Sequence, residues 1–155
     1  MTPFESLNVR WYMAQITRLL ETKLLEGDLT KVVIGGFFDT YNQLGRGFLE
    51  SVYEGGLELV LADAGIHVRR QHPISVWFRR QEIGFFRADL LINDRIIVEI
   101  KRARRIHSRH KAQLYNALKA TRIELGLLLN FGPKPTFQRL ILTNDRKSNL
   151  PAPFV

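Results

Sequence analysis

The chain of 155 residues contains no cysteine. Disulfide staples and thiolate metal sites are thereby excluded, and any metal must be held by oxygen or imidazole, which favours a hard cation such as Mg2+. Nor is there a run near the roughly 20 apolar residues that a bilayer-spanning helix requires. The first thirty residues carry Glu5, Arg10, Arg18, Glu21 and Lys23 where a signal core would be apolar, so a cytoplasmic protein with no membrane partner is expected. Internal repeats, low-complexity tracts and linkers are also missing. What is present, 45% hydrophobic residues in a chain of this length, suffices for one domain with a real core and not for two of ordinary size.

Acidic residues are scarce in one stretch. Between Ile66 and Arg122 there are 14 Lys and Arg against 4 Asp and Glu, while the rest of the chain holds 9 against 11. Concentrated charge of this kind suits a polyanion, because each neutralised phosphate releases counterions. A solvated basic face that aids solubility has the same composition, and charge alone does not separate the two.

Periodicity orders the elements. Leu7 to Glu26 places Tyr12, Ile16, Leu19 and Leu20 at helical intervals before Gly27. A second helix is expected after an N-cap at Asp28, through Val32, Val33, Phe37 and Tyr41 to the break at Gly45-Arg46-Gly47. A third is expected from about Phe48 to Ala64, closed by Gly65, with Leu49, Val52, Tyr53, Gly56, Val60 and Leu61 as its core stripe and Glu50, Glu54 and Glu58 as an acidic margin. From Ile66 the period becomes two. Strands are expected around Ile66/Val68 and Ile74/Val76/Phe78, bent or at a sheet edge near Pro73, then over Ile83–Ile92 and Ile96–Lys101. A helix over about Ser108–Thr121, a doubly buried strand at Leu125–Phe131, a last strand at Thr136–Leu142 and an irregular ending complete the order.

The residues that carry chemistry are Asp89 on one strand and Glu99-Ile100-Lys101 on the next. Side chains alternate along a strand, so Glu99 and Lys101 share a face while Ile100 points the other way. Asp89 stands opposite Glu99 only if the hairpin pairs 90 with 98, 91 with 97 and 92 with 96, which requires a three-residue loop at Asn93-Asp94-Arg95. Such loops use a left-handed residue, and Asn and Asp tolerate that conformation. Two carboxylates beside an ammonium suit phosphodiester hydrolysis, in which a Mg2+ ion activates water and neutralises charge while Lys101 orients the nucleophile or offsets developing negative charge. Surface ion pairs of Asp89 and Glu99 with Arg87 or Lys101 are the bland alternative.

Gly47-Phe48-Leu49-Glu50-Ser51-Val52-Tyr53 fits a GxxExxY pattern, and Arg87-Ala88-Asp89-Leu90-Leu91, Val98-Glu99-Ile100-Lys101, His110-Lys111-Ala112-Gln113-Leu114 and Leu127-Leu128-Leu129-Asn130-Phe131-Gly132 follow it in order. From about Leu29 to Leu142 the sequence resembles the GxxExxY family, a branch of the PD-(D/E)XK nuclease-like superfamily related to RecB-like nucleases. The resemblance implies an α/β fold with a restriction-endonuclease-like αβββαβ core, a central mixed sheet flanked by helices, and an extra N-terminal helix. In these terms 1–28 is a helical extension, 29–143 the nuclease-like domain and 144–155 an irregular tail. It further implies that Glu50, Asp89, Glu99 and the backbone carbonyl of Ile100 serve as metal ligands for Mg2+ or Mn2+, that Lys101 is the catalytic lysine, and that Gln113 organises the site and contacts nucleic acid. Family members commonly carry histidine in place of Tyr41 and tyrosine in place of Ala117. Tyr115 lies on another side of its helix and is no substitute for the second.

Of the remaining residues, Tyr53 is expected to pack with its hydroxyl hydrogen-bonded, and Gly45 and Gly47 to serve the turn. Arg102, Arg104, Arg105, Arg109 and Lys111 follow the catalytic strand, where substrate phosphates would pass. His107 and His110 are one turn apart, with no further imidazole or thiolate to complete a soft-metal site. Trp77 and Phe85 are core or edge aromatics, or stack on bases. The function expected is a Mg2+- or Mn2+-dependent nuclease acting on DNA in preference to RNA. The alternatives are a catalytically silent nucleic-acid-binding module and a protein adaptor, with a homo-oligomer or larger assembly possible.

Overall fold

The structure is a computed structural model that describes residues 27–148 and 150. The helix expected over Leu7–Glu26, and the tail beyond residue 150, lie outside the described residues. Two compact units divide the chain, Met1–Ile34 and Gly35–Val155. Of the first, residues 27–34 are helical. Helix α1 occupies 27–44 and is already helical at Gly27, so Asp28 lies inside it and is not its N-cap. The second unit holds everything that follows.

Helix α2 (Glu50–Asp63) leads into strands β1 (Val68–Phe78), β2 (Gln81–Ile92) and β3 (Ile96–Lys101), helix α3 (Ser108–Lys119), and strands β4 (Leu125–Phe131) and β5 (Pro135–Ile141), with a 3-10 turn at Asn144–Arg146. From α2 onward this is the αβββαβ order with one added strand. The sheet runs β1-β2-β3-β4-β5. Every neighbouring pair is antiparallel except β3 and β4. A parallel pair needs a crossover, and α3 provides it.

Burial follows from this layering. All seven residues of β4 are buried, as an almost unbroken apolar run in a central strand requires. On one face α3 contributes Leu114, Ala117 and Leu118 to a cluster with Ala88, Ile97 and Leu128. Gly126 lets the helix approach, since a Cβ there would stand 2.8 Å from Leu114 Cδ1. On the other face Tyr53 stacks on Phe131 with ring centroids 4.4 Å apart, and Phe37 meets Phe131 edge-on at 4.7 Å.

The stripe expected on α2 needs correction, and the sheet edge expected near Pro73 is met. The buried stripe of α2 is Tyr53, Leu57 and Leu61 at four-residue steps, whereas Leu49 and Val52 are exposed. The i, i+4 series wins because Tyr53 stacks on Phe131 while Leu57 and Leu61 close on Gly36 of α1. The segment Ile66–Phe78 is one edge strand from Val68 onward, with Pro73 inside it opposite Arg87 and with Gln71 left-handed at φ 49°. An edge position tolerates the missing proline donor.

Candidate metal centre

The centre forms where β2 and β3 part. Their ladder pairs Ile92 with Ile96, Leu91 with Ile97 and Leu90 with Val98, and then stops. The loop between them is Asn93-Asp94-Arg95, with Asn93 and Asp94 left-handed at φ 49° and 55°. This is the three-residue loop that placing Asp89 level with Glu99 demands. Beyond the last pair, the Ile100 N–H donates to Asp89 Oδ2 at 2.7 Å, so the carboxylate stands in for a strand acceptor.

Glu99 is 1% exposed, and neither of its carboxyl oxygens has a hydrogen-bond partner. Its pKa is pushed up to about 9, first by burial and then by the neighbouring Asp89 carboxyl, with Glu50 adding to the rise and Lys101 opposing it. Two ionised carboxylates can only accept, so the pair is satisfied by a shared proton or by a cation between them. An orphaned buried carboxylate beside a second one, with oxygen donors alone, fits a hard divalent ion.

The GxxExxY segment builds the wall beside this pair. Gly45 and Gly47 take φ 73° and 108°, turning the chain from α1 to α2. The Tyr53 hydroxyl donates to the Gly45 carbonyl at 2.6 Å and accepts from the Phe48 N–H at 3.3 Å, which locks the turn. Glu50 is thereby fixed as the first residue of α2, exposed yet close enough to act on Glu99. Among the described residues no three His, Cys, Asp or Glu side chains form a ready cage for a metal ion. The structure therefore brings together Asp89 and Glu99 about the Ile100 backbone, with Lys101 and Glu50 acting on them from nearby.

Sequence reasoning missed a second layer. Glu54 is 4% exposed, not part of an exposed acidic margin. It accepts from Arg70 Nε at 3.2 Å and, through both oxygens, from Gln71 Nε2 at 3.1 Å. Gln71 Nε2 also lies 3.4 Å from Asp89 Oδ1, linking the buried acid of α2 to the candidate ligand. The left-handed backbone of Gln71 aims its amide there, a kink that no local pattern announces. Asn130 binds both backbone polar groups of Ala103, at 2.8 and 2.9 Å, and a Cβ on Gly132 would overlap the Ala103 carbonyl oxygen. Together they hold the chain just past Lys101. The Leu127–Gly132 block contained that signal.

Arg102 donates to the Phe48 carbonyl at 2.6 Å and lines a cleft of about 410 Å3 with Arg46, Gly47 and Arg104. Arg104, Arg105, Arg109 and Lys111 are exposed and form no ion pair among the described residues. Gln113 is exposed on α3 and is not drawn into contact with the carboxyl pair. His110 Nδ1 accepts the His107 N–H at 3.2 Å, which gives the two imidazoles a role in starting α3. Burial, then Lys101, lowers the pKa of His110. At the two departures from the family pattern, the Tyr41 hydroxyl lies 3.0 Å from the carbonyls of Gly132 and Pro133, and Ala117 is fully buried under the sheet.

No curated protein matches the chain. The crystal structure of SSO0001 aligns at 20% identity over 63% of this chain with a TM-score of 0.41, and this chain spans about half (52%) of that one. A model of the PD-(D/E)XK nuclease superfamily matches residues 27–140. That span takes in the glycine turn, both carboxyls and the crossover helix, and the chain belongs to the PD-(D/E)XK nuclease superfamily.

Proposed function

We propose that this chain is a metal-dependent nuclease of the GxxExxY branch that hydrolyses phosphodiester bonds, in DNA in preference to RNA. The observation that carries the reading is the contact of the two carboxyls Asp89 and Glu99, one of them buried with no hydrogen-bond donor to either oxygen. In this reading they hold Mg2+ or Mn2+, with the Ile100 carbonyl and Glu50 as further oxygen donors. When bound, the ion supplies a lowered pKa for coordinated water and charge neutralisation at the phosphoryl oxygens. The chain's own residues do the rest. Gln71 and the Ile100 N–H hold Asp89 in one orientation. Lys101, on the face of Glu99, positions the attacking oxygen and offsets negative charge as the bond breaks. Arg102, Arg104, Arg105, Arg109 and Lys111 hold the substrate backbone, and Gln113 contacts it from α3.

A silent binding module is favoured by one observation, the absence of a three-ligand cage among the described residues. Incubation of the protein with single- and double-stranded DNA and RNA under Mg2+, Mn2+ or EDTA separates the readings. Cleavage that needs the ion and is lost in Lys101→Ala, with binding retained, is the expected result. Salt-sensitive binding with no cleavage under either metal would overturn the enzymatic reading in favour of the module. Binding to no nucleic acid at low salt would point to an adaptor.

A further inference from the structure

Strand β2 has twelve residues, yet only Leu90–Ile92 pair with β3. Of its other nine residues, seven pair with β1 and none with β3, so β1 and β2 continue beyond the sheet as a two-stranded arm. The arm does not end as a shielded edge would. Phe78 is 53% exposed, Ile83 63% and Phe85 64%. Arg79 and Arg80 form the tip, both left-handed at φ 48° and 64°. A two-residue hairpin turn of this kind favours Asn-Gly, and two arginines accept a conformational cost there. Arg79 lies over the Phe78 ring at 5.2 Å, and Arg79, Arg80 and Arg87 have no ion pair among the described residues.

Geometry ties this surface to the candidate centre. Phe86 and Ala88 face α3, so Phe85 and Arg87 share the opposite, exposed face of the arm, which reaches the body of the sheet at Asp89, just before β2 joins β3. Four residues of strand span about 13 Å, comparable to roughly four stacked nucleotides. Exposed rings, Phe85 on this face and Phe78 beside the tip, next to arginines without ion pairs match the two recurring elements of a single strand, exposed base faces and phosphates. An apolar protein partner would leave the arginines unanswered, and a paired duplex would hide the base faces from the rings.

We propose that the β1–β2 arm is a single-strand contact surface, on which Phe78 and Phe85 stack bases and Arg79, Arg80 and Arg87 bind phosphates, feeding the strand toward Asp89. The proposal rests on the nuclease reading and specifies its substrate as single-stranded or unpaired nucleic acid. Its test is fluorescence-anisotropy binding of the whole protein to a labelled single-stranded 20-mer (an oligonucleotide of about 20 nucleotides) and to its blunt duplex, in EDTA and across a salt series. Parallel cleavage assays use Mg2+, and thermal melts confirm that each variant folds.

Phe78→Ala/Phe85→Ala should weaken single-strand binding by roughly ten- to a hundredfold with the salt slope unchanged, and Phe78→Trp/Phe85→Trp should restore it. Arg79→Ala/Arg80→Ala should lower the slope of log K against log salt by about 1.4. Folded arm variants that bind as tightly as the parent overturn the proposal, as does a parent that prefers the duplex. Arm variants whose only change is loss of self-association in size-exclusion chromatography also overturn it, in favour of a protein interface. Arm-dependent binding by a parent that cleaves nothing under Mg2+ or Mn2+ sinks the nuclease reading and leaves the arm as a binding surface, so the two failures are distinct.

Discussion

Glu99 concentrates the chemistry at the scale of single residues. Without metal its pKa of about 9 lies above the usual carboxylate value, so between about 4.5 and 9 the folded chain holds a proton that the unfolded chain has released. Stability must then fall as pH rises through that window. Melting in EDTA from pH 6 to 8.5 should show this decline, and Glu99→Gln should flatten it. A metal must displace the same proton, so the apparent Mn2+ affinity should rise about tenfold per pH unit below 9, a slope that calorimetry would read. Gln71 offers a cleaner separation of roles. Gln71→Gly removes the amide that links Glu54 to Asp89 and with it two hydrogen bonds to a buried carboxylate, a loss that exceeds the ~1 kcal/mol of left-handed strain it relieves. A folded variant that binds Mn2+ more weakly fits that assignment, whereas unchanged metal affinity would reduce Gln71 to a bend in the strand.

At the scale of elements, the hairpin between β2 and β3 was readable from sequence because chemistry and turn geometry constrain each other. Level placement of Asp89 and Glu99 demanded a loop that Asn93 and Asp94 can form, and the ladder has that register. The stripe of α2 was less readable. Its apolar residues occupy more than one face, and only tertiary packing, of Tyr53 on Phe131 and of Leu57 and Leu61 beside Gly36 of α1, selects the buried one. Glu54 and Gln71 could not be placed, since one side chain is buried beneath an ion pair from β1 and the other is aimed by a backbone kink, both products of tertiary assembly. The glycine turn offers a test at this scale. Tyr53→Phe removes one hydroxyl that serves both Gly45 and Phe48, and should cost about 1–2 kcal/mol of stability by denaturant unfolding. It should also lower cleavage by releasing Glu50 from its fixed start of α2, while a loss of stability alone would make the tyrosine purely structural.

Across the larger unit, the parallel β3–α3–β4 arrangement sets Lys101 close enough to the start of α3 to act on His110, and the antiparallel β1–β2 pair carries basic residues away from the sheet. The uneven charge in the sequence corresponds to this arrangement. Fourteen of the 23 basic residues fall between Ile66 and Arg122, the span that contains the arm, the centre and the whole of α3. No helix among the described residues is long and apolar enough to cross a membrane.

The central claim is that Asp89 and Glu99 share one divalent ion, and Mn2+ binding followed by electron paramagnetic resonance tests it without reference to turnover. One site per chain in the parent protein, weakened at least a hundredfold in both Asp89→Asn and Glu99→Gln, is the result expected from two shared ligands. Equal Mn2+ binding in the parent and in both folded variants would contradict it.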